Sequence, residues 1–385
     1  MTITTPQAGT RGPIPAEEAG GLLTIDLDAL ASNWKTLRDR AGTETAAVVK
    51  ADAYGTGIEQ AVPALVDAGC GTFFVAHMAE AKRARAAAPN ATIYVLNGFL
   101  TGTAATYLNF GIRPVLGSWP EIDEWAAFCR AQGKTFPAAI HVDTGMNRLG
   151  LRVADGMALR GDRRLEDFEP ALLMSHLVSA EDPAHEINAR QIEAFSAVAA
   201  TLPGIPASLA NSSGIFLKDM PRFSLARPGY ALYGGNPTPD AKNPMEPVVR
   251  LEGRILQLRS AEHGETAGYS GAWTSKGRRR LATLSVGYAD GYPRSAGSTD
   301  ANVGQTGLAI VAGRRCPFVG RVSMDLIIID VTDVPEDAVR QGDTVVLIGD
   351  GLDVDEVGTR AGTIGYEILT GLGRRYARTY RGGVA

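Results

Sequence analysis

A lysine stands where a buried strand should end. In TAAVVKADAYGTG (45–57), residues 46–49 are small or β-branched and read as a buried strand, and Lys50 follows at once. Burying an ammonium group is costly, so such a lysine is paired, exposed at the strand end, or converted, and one conversion is a Schiff base with an aldehyde. Other apolar runs also end on polar side chains that can do chemistry: Asp143, His176, Asn211 and Arg227. The segments after the last two begin Asn-Ser-Ser-Gly (211–214) and Arg-Pro-Gly-Tyr (227–230). Their small hydroxyl and glycine residues leave backbone N–H groups open to an anion.

For these residues to meet, the chain must bring distant strand ends together, and its periodicity does so. Short apolar runs at 48–50, 73–77, 93–97, 114–117, 138–143, 172–176, 207–211 and 223–227 alternate with alanine-rich amphipathic stretches such as 58–68, 78–87, 121–131 and 188–200. Eight strand-like runs spaced by helical ones predict an α/β protein with a (β/α)8 barrel, whose active sites are built at the C-terminal ends of the strands. Lys50, Asp143, His176, Asn211 and Arg227 then ring one mouth. From about residue 248 the texture turns β-rich, at 248–258, 281–286, 308–311, 326–331 and 344–348. The expected organisation is a mobile lead-in over 1–20, a barrel over 21–247 and a mainly β C-terminal domain over 248–385. The strand at 22–27 fits either sheet, since the barrel already has its eight, and Asp28 is placed to cap the helix after it.

Composition narrows the function classes. The chain has 385 residues, 45% of them hydrophobic and 21% charged, with 38 basic against 42 acidic side chains. That balance offers no nucleic-acid or membrane surface, and no apolar run is long enough to span a bilayer. The N-terminus lacks the apolar core of a secretory signal. The three cysteines, Cys70, Cys129 and Cys316, are far apart with no CxxC pair, which argues against a disulfide framework or a zinc site and fits a reducing cytoplasm. The single DTG at 143–145 lacks the second carboxylate that an aspartic protease needs.

From residue 22 to 380 the chain resembles the alanine racemases, fold-type III enzymes that use pyridoxal 5'-phosphate. The resemblance rests on AVVKADAYGTG, HVDTGMNRLGL, ANSSG, ARPGYALYG, VGYADGY, GRVSMDL and TIGYEILTGLGRRYARTY. It implies an isomerase that interconverts L- and D-alanine and supplies D-alanine for peptidoglycan. Lys50 matches the lysine that holds the cofactor and then serves as one base, and Tyr288 matches the base on the opposite face. Racemisation needs both, because a proton leaves one face of a planar carbanion and arrives on the other. Tyr54, Ser212, Gly229, Tyr230 and Tyr366 match phosphate contacts, with Asn211 beside them. Arg227 matches the residue against the pyridine nitrogen, and His176 the histidine that hydrogen-bonds this arginine. Arg148 matches an arginine touching the cofactor phenolic oxygen and the substrate carboxylate. Met324 matches the residue whose backbone N–H binds that carboxylate. Asp325 matches an entrance residue, and Tyr269 a substrate-side tyrosine.

An arginine is always a donor and keeps its proton, so the nitrogen it faces should stay unprotonated and the ring should be a poorer electron sink. A decarboxylase of the same fold would want a carboxylate at position 227, and a non-catalytic carrier would have no use for Tyr288. A racemase for serine or lysine is the remaining alternative. The chain departs from many relatives at His141, where they carry a lysine that becomes carbamylated and orients the arginine; a neutral imidazole, an anion or a water must serve Arg148 here. The resemblance also implies a head-to-tail homodimer in which the β domain of one chain covers the barrel mouth of the other.

Overall fold

The computed structural model describes residues 14–383 and divides into two compact units. One is Asp26–Val248 together with residues 381–383; the other is residues 14–25 together with Val249–Tyr380.

In the first unit, strands Ala47–Val48, Thr72–Val75, Thr92–Val95, Arg113–Leu116, Pro137–Asp143, Glu169–Met174 and Ala207–Ser208 pair side by side, all parallel. Leu225–Ala226 pairs in parallel with Glu44–Thr45, the beginning of the run that continues into Ala47–Val48. The remaining seam is closed by Arg227 N–H on Ala210 O at 2.9 Å and by the Ser208 hydroxyl on Leu225 O at 2.6 Å. Eight runs in a ring with helices between them make a (β/α)8 barrel. Thr72–Val75 is buried at every position, because a parallel strand covered on both faces has no solvent side. The helix Trp119–Gln132 shows how local signals set element ends. Ser118 caps it by accepting from Glu121 N–H, Pro120 lies in the first turn, and Gly133 closes it at φ 63°.

The second unit is built on the thirteen-residue strand Val249–Ala261, which pairs antiparallel with Gly21–Asp26, Thr344–Ile348 and Arg279–Leu284. Alternate residues along its first half are buried, the pattern of a sheet with one covered face. Gly21–Asp26 has the same alternation and joins this sheet, so the barrel unit begins at Asp26 and not at residue 21. The lead-in expected over 1–20 lies mostly outside the described residues. Its last part is held, with Arg254 donating to Ala16 O at 3.1 Å and to Ala19 O at 3.3 Å.

The cap of the first helix, Leu27–Ala41, is Asp26 and not Asp28. Asp26 keeps extended backbone (φ −96°, ψ 104°) and its carboxylate accepts from Ala29 N–H at 2.8 Å. Asp28 already lies in the first turn, where it accepts from Gly383 N–H at 3.1 Å. Asp26→Ala should therefore cost about 1 kcal/mol of unfolding free energy and Asp28→Ala clearly less. Denaturant titration of the two variants checks the order.

Candidate active site

The residues at the C-terminal ends of the barrel strands converge as that architecture requires. Lys50 follows its strand Ala47–Val48 after one residue, His141 lies within Pro137–Asp143, His176 follows Glu169–Met174 and Arg227 follows Leu225–Ala226. Arg227 is 4% exposed and has no carboxylate within ion-pair distance among the described residues. Its guanidinium donates to the Ser208 hydroxyl and to Ser175 O, and sits 5.9 Å from the centre of the Phe74 ring. Burial lowers its proton affinity to a pKa of about 10, which leaves it charged at neutral pH.

Burial and that charge together set the state of its neighbours. Burial, then Arg227, then Arg148 push His176 down to about 3, and burial with Arg227 foremost pushes His141 down to about 4. Both imidazoles are neutral at pH 7 and can accept as well as donate. Among the described residues the expected hydrogen bond between His176 and Arg227 is not present; the guanidinium donates to two neutral oxygens. Lys50 is also pushed down, by burial and by Arg148, with Glu80 opposing, so its amine is more readily neutral and nucleophilic than an exposed lysine.

Lys50 opens a turn with unusual geometry. Ala51, Asp52, Ala53 and Tyr54 all have φ between 52° and 57°, a left-handed turn made without glycine until Gly55. Left-handed backbone costs roughly 1–2 kcal/mol per L-residue, so the surroundings must hold it. Tyr54, at its end, stacks on Tyr233 with ring centres 4.6 Å apart, and the Tyr233 hydroxyl donates to Val48 O at 3.0 Å.

The last two strand ends form a cradle. The Ser212 Oγ accepts from Gly229 N–H at 3.0 Å and from Ala231 N–H at 3.2 Å, which leaves its own hydroxyl hydrogen to donate. A Cβ on Gly229 would lie 2.5 Å from the Tyr54 hydroxyl oxygen, so only glycine lets backbone and phenol approach this closely. Asn211 shapes this loop, its Oδ1 accepting from Gly214 N–H at 2.9 Å. Tyr230, the residue after Gly229 in the loop, is 4% exposed. The Ser212 hydroxyl hydrogen left to donate, with the Tyr54 hydroxyl against Gly229, suits a phosphate, and a lysine amine of lowered proton affinity suits an aldehyde; these residues fit pyridoxal 5'-phosphate. Arg148 and His141 line a cavity of about 260 Å3 with Gly117, Glu121 and Gly150. Arg148 is exposed, and Asn147 before it has φ 54°. Asp143 is a turn former, accepting from Gly145 and Met146 N–H at 2.9 and 2.8 Å.

The other candidates belong to the second unit. Tyr288 opens a short turn whose N–H groups are fixed on the neighbouring segment, Tyr288 on Ser323 O at 3.0 Å and Ala289 on Met324 O at 2.9 Å. Arg375 ties the two segments through Asp290 at 3.0 Å and Asp325 at 2.8 Å. Gly291, at φ 91°, has no room for a side chain, since a Cβ would fall 1.6 Å from Gly371 O. Tyr269, Ser323, Met324, Asp325 and Leu326 line an open cavity of about 420 Å3. Tyr366 is exposed on the helix Gly365–Gly371. Sequence reasoning missed Ser175, Ser208, Glu80 and Tyr233. Ser175 and Ser208 read as strand interior and Glu80 as an ordinary helix residue; Tyr233 carried a signal only as part of ARPGYALYG.

No helix among the described residues is long and apolar enough to cross a membrane, and they hold no cluster of three or more His, Cys, Asp or Glu side chains able to bind a metal. Comparison with known proteins gives two family matches, the alanine racemase N-terminal domain over residues 25–237 and the alanine racemase C-terminal domain over 248–380. A curated alanine racemase of Methylobacterium nodulans is 63% identical over 94% of this chain and 96% of its own length. A protein of Agrobacterium fabrum named as a biosynthetic alanine racemase is 46% identical over 94% of each. The crystal structure of an alanine racemase from Bartonella henselae with covalently bound pyridoxal phosphate is 42% identical, covers 94% of this chain and 100% of its own, and superposes with a TM-score of 0.88.

The two neutral histidines give the ligand-free protein a defined acid response. The unfolded chain takes up protons at His141 and His176 below about pH 6.5, while the folded sites do so only near 4 and 3. Stability is therefore complete above pH 6.5 and falls as pH drops through that window, by at most about 1.4 kcal/mol per pH unit for each histidine. His176→Gln should flatten the pH dependence of the urea midpoint between pH 6 and 4.

Proposed function

The chain belongs to the alanine racemase family, and from that membership we propose how its residues divide the reaction. It is a pyridoxal-phosphate-dependent isomerase that interconverts L- and D-alanine. The bound cofactor supplies an electron-withdrawing ring that acidifies the hydrogen on the amino acid's α-carbon.

Lys50 holds the cofactor covalently, and once substrate displaces it the freed amine moves the α-proton on one face. The Tyr288 hydroxyl moves it on the other. The Ser212 hydroxyl, the backbone at Gly229 and Tyr230, and the hydroxyls of Tyr54 and Tyr366 receive the phosphate. Arg227 faces the ring nitrogen with donors only and keeps a proton off it; His176 stands beside it as a neutral imidazole. Arg148 and the Met324 backbone N–H take the substrate carboxylate. The observation that carries this reading is the position of Lys50, its amine lowered in proton affinity and set on a turn whose last residue, Tyr54, reaches the Gly229 cradle.

We further infer a cytoplasmic homodimer whose active sites each draw on two chains. Lys50 lies in one unit, Tyr288 and Met324 in the other. The second unit, taken by itself, leaves Tyr269, Tyr288, Met324, Ile364 and Tyr366 exposed, side chains that a partner could cover. A supply of D-alanine for peptidoglycan fits the biosynthetic role named for one Agrobacterium fabrum relative; a second from that organism, 45% identical, is named catabolic.

Added to L-alanine with the cofactor, the protein should abolish optical rotation, and borohydride should fix the cofactor on the Lys50 peptide; a label elsewhere removes Lys50 from its role. Lys50→Ala and Tyr288→Phe should each lose roughly 100-fold or more in rate. Refolded together, they should regain activity at about a quarter of the sites, because random pairing makes half the dimers mixed and each mixed dimer has one intact site. Recovery no greater than that of the separate variants, with mixed dimers verified by mass, excludes a shared site.

A further inference from the structure

We propose that Glu80 is a positioning residue for Lys50, its carboxylate clamping the left-handed turn that presents the lysine to the end of the adjacent barrel strand. The inference rests on the reading of Lys50 given above. Glu80 lies in the first turn of the helix Met78–Ala87, where an acidic side chain ordinarily caps its own helix. One oxygen does that, Oε2 accepting from Ala76 N–H at 2.8 Å and from His77 N–H at 3.2 Å. The other reaches across to a different element, Oε1 accepting from Ala51 N–H at 2.6 Å. Ala51 is the residue after Lys50 and the first of the four with positive φ. Its N–H is at the start of a helical turn, where a backbone donor has no partner within the turn.

Arg83 acts beside it. Three residues further along the same helix it lies on the same face, and its guanidinium holds Asp52 at 2.6 Å and Glu59 at 2.6 Å. Asp52 in turn accepts from Ile58 N–H at 3.2 Å. Two side chains one turn apart thus grip two successive residues of the strained turn. The charged groups acting on Lys50 are Arg148 from the loop after Pro137–Asp143 and Glu80 from this helix, with the neutral His176 across the mouth. Glu80 is the group among them that favours the ammonium form, so the clamp also tempers how far burial lowers the amine.

Glu80→Gln keeps the size of the side chain but offers one acceptor oxygen for two sets of donors. Its kcat should fall roughly 10- to 100-fold with KM changed less, the consequence of a misplaced reacting group. In cofactor-free protein, the pH at which Lys50 is half-acylated by acetic anhydride should shift downward. Arg83→Met loosens the same turn without removing that carboxylate, so kcat should fall while the acylation midpoint stays near wild type; this variant decides the matter if Glu80→Gln does not fold by circular dichroism. Borohydride trapping of the cofactor accompanies each measurement. A label on Lys50 throughout, with kcat and midpoint of Glu80→Gln equal to wild type, overturns the role of Glu80 alone. A wild-type label on another lysine overturns the reading of Lys50 and the inference with it.

Discussion

A guanidinium buried without a carboxylate partner is the constraint around which the barrel mouth is arranged. Arg227 is held by a hydroxyl and a carbonyl, acceptors that stabilise the charge without cancelling it. Breaking such an arrangement is expensive, because an uncompensated buried charge has no water to fall back on. Burial first, and then its field, keeps His141 and His176 neutral, and with Arg148 that field disfavours cations at the mouth. A lysine in that setting gives up its proton more readily than it would in water.

The two units hold their reactive side chains by different devices. In the barrel unit Lys50 rides on four residues forced into left-handed backbone, kept there by side chains from a neighbouring helix. In the β unit Tyr288 rides on a turn that needs no such force, because Gly291 tolerates its own conformation and lets the turn lie against Gly371. Strain is stored on one side and avoided on the other. Both solutions fix by its backbone a side chain that is proposed to move a proton.

Much of this was legible in the sequence, for reasons that can be named. Strand ends were readable because a polar residue closing a β-branched run has one sensible place in a parallel barrel, which is how Lys50, His176 and Arg227 could be grouped although they lie far apart in the chain. The β unit was readable from its texture and the strand at 22–27 only as ambiguous, since either sheet could take it until the pairing with Val249–Ala261 was seen. The left-handed turn was not readable at all. Nothing in ADAY asks for positive φ; the conformation is imposed by Glu80 and Arg83, which in sequence look like ordinary residues of an amphipathic helix. Ser175 and Ser208 were hidden for the same reason, being small strand residues until Arg227 is laid against them. The cap at Asp26 was missed by two residues because two aspartates compete and only backbone geometry chooses between them.

The central claim is that a donor-only group at position 227 confines the reaction to proton exchange at the α-carbon. It is tested most directly by Arg227→Glu, measuring the pyruvate released per racemisation event with L-alanine as substrate. A carboxylate there would let the ring nitrogen carry a proton and draw electrons more strongly, so the account predicts slower racemisation and a ratio of pyruvate to racemised alanine raised about tenfold or more, a change of roughly 1.4 kcal/mol in the competition between the two outcomes. A folded variant that racemises at the wild-type rate with an unchanged ratio would contradict it.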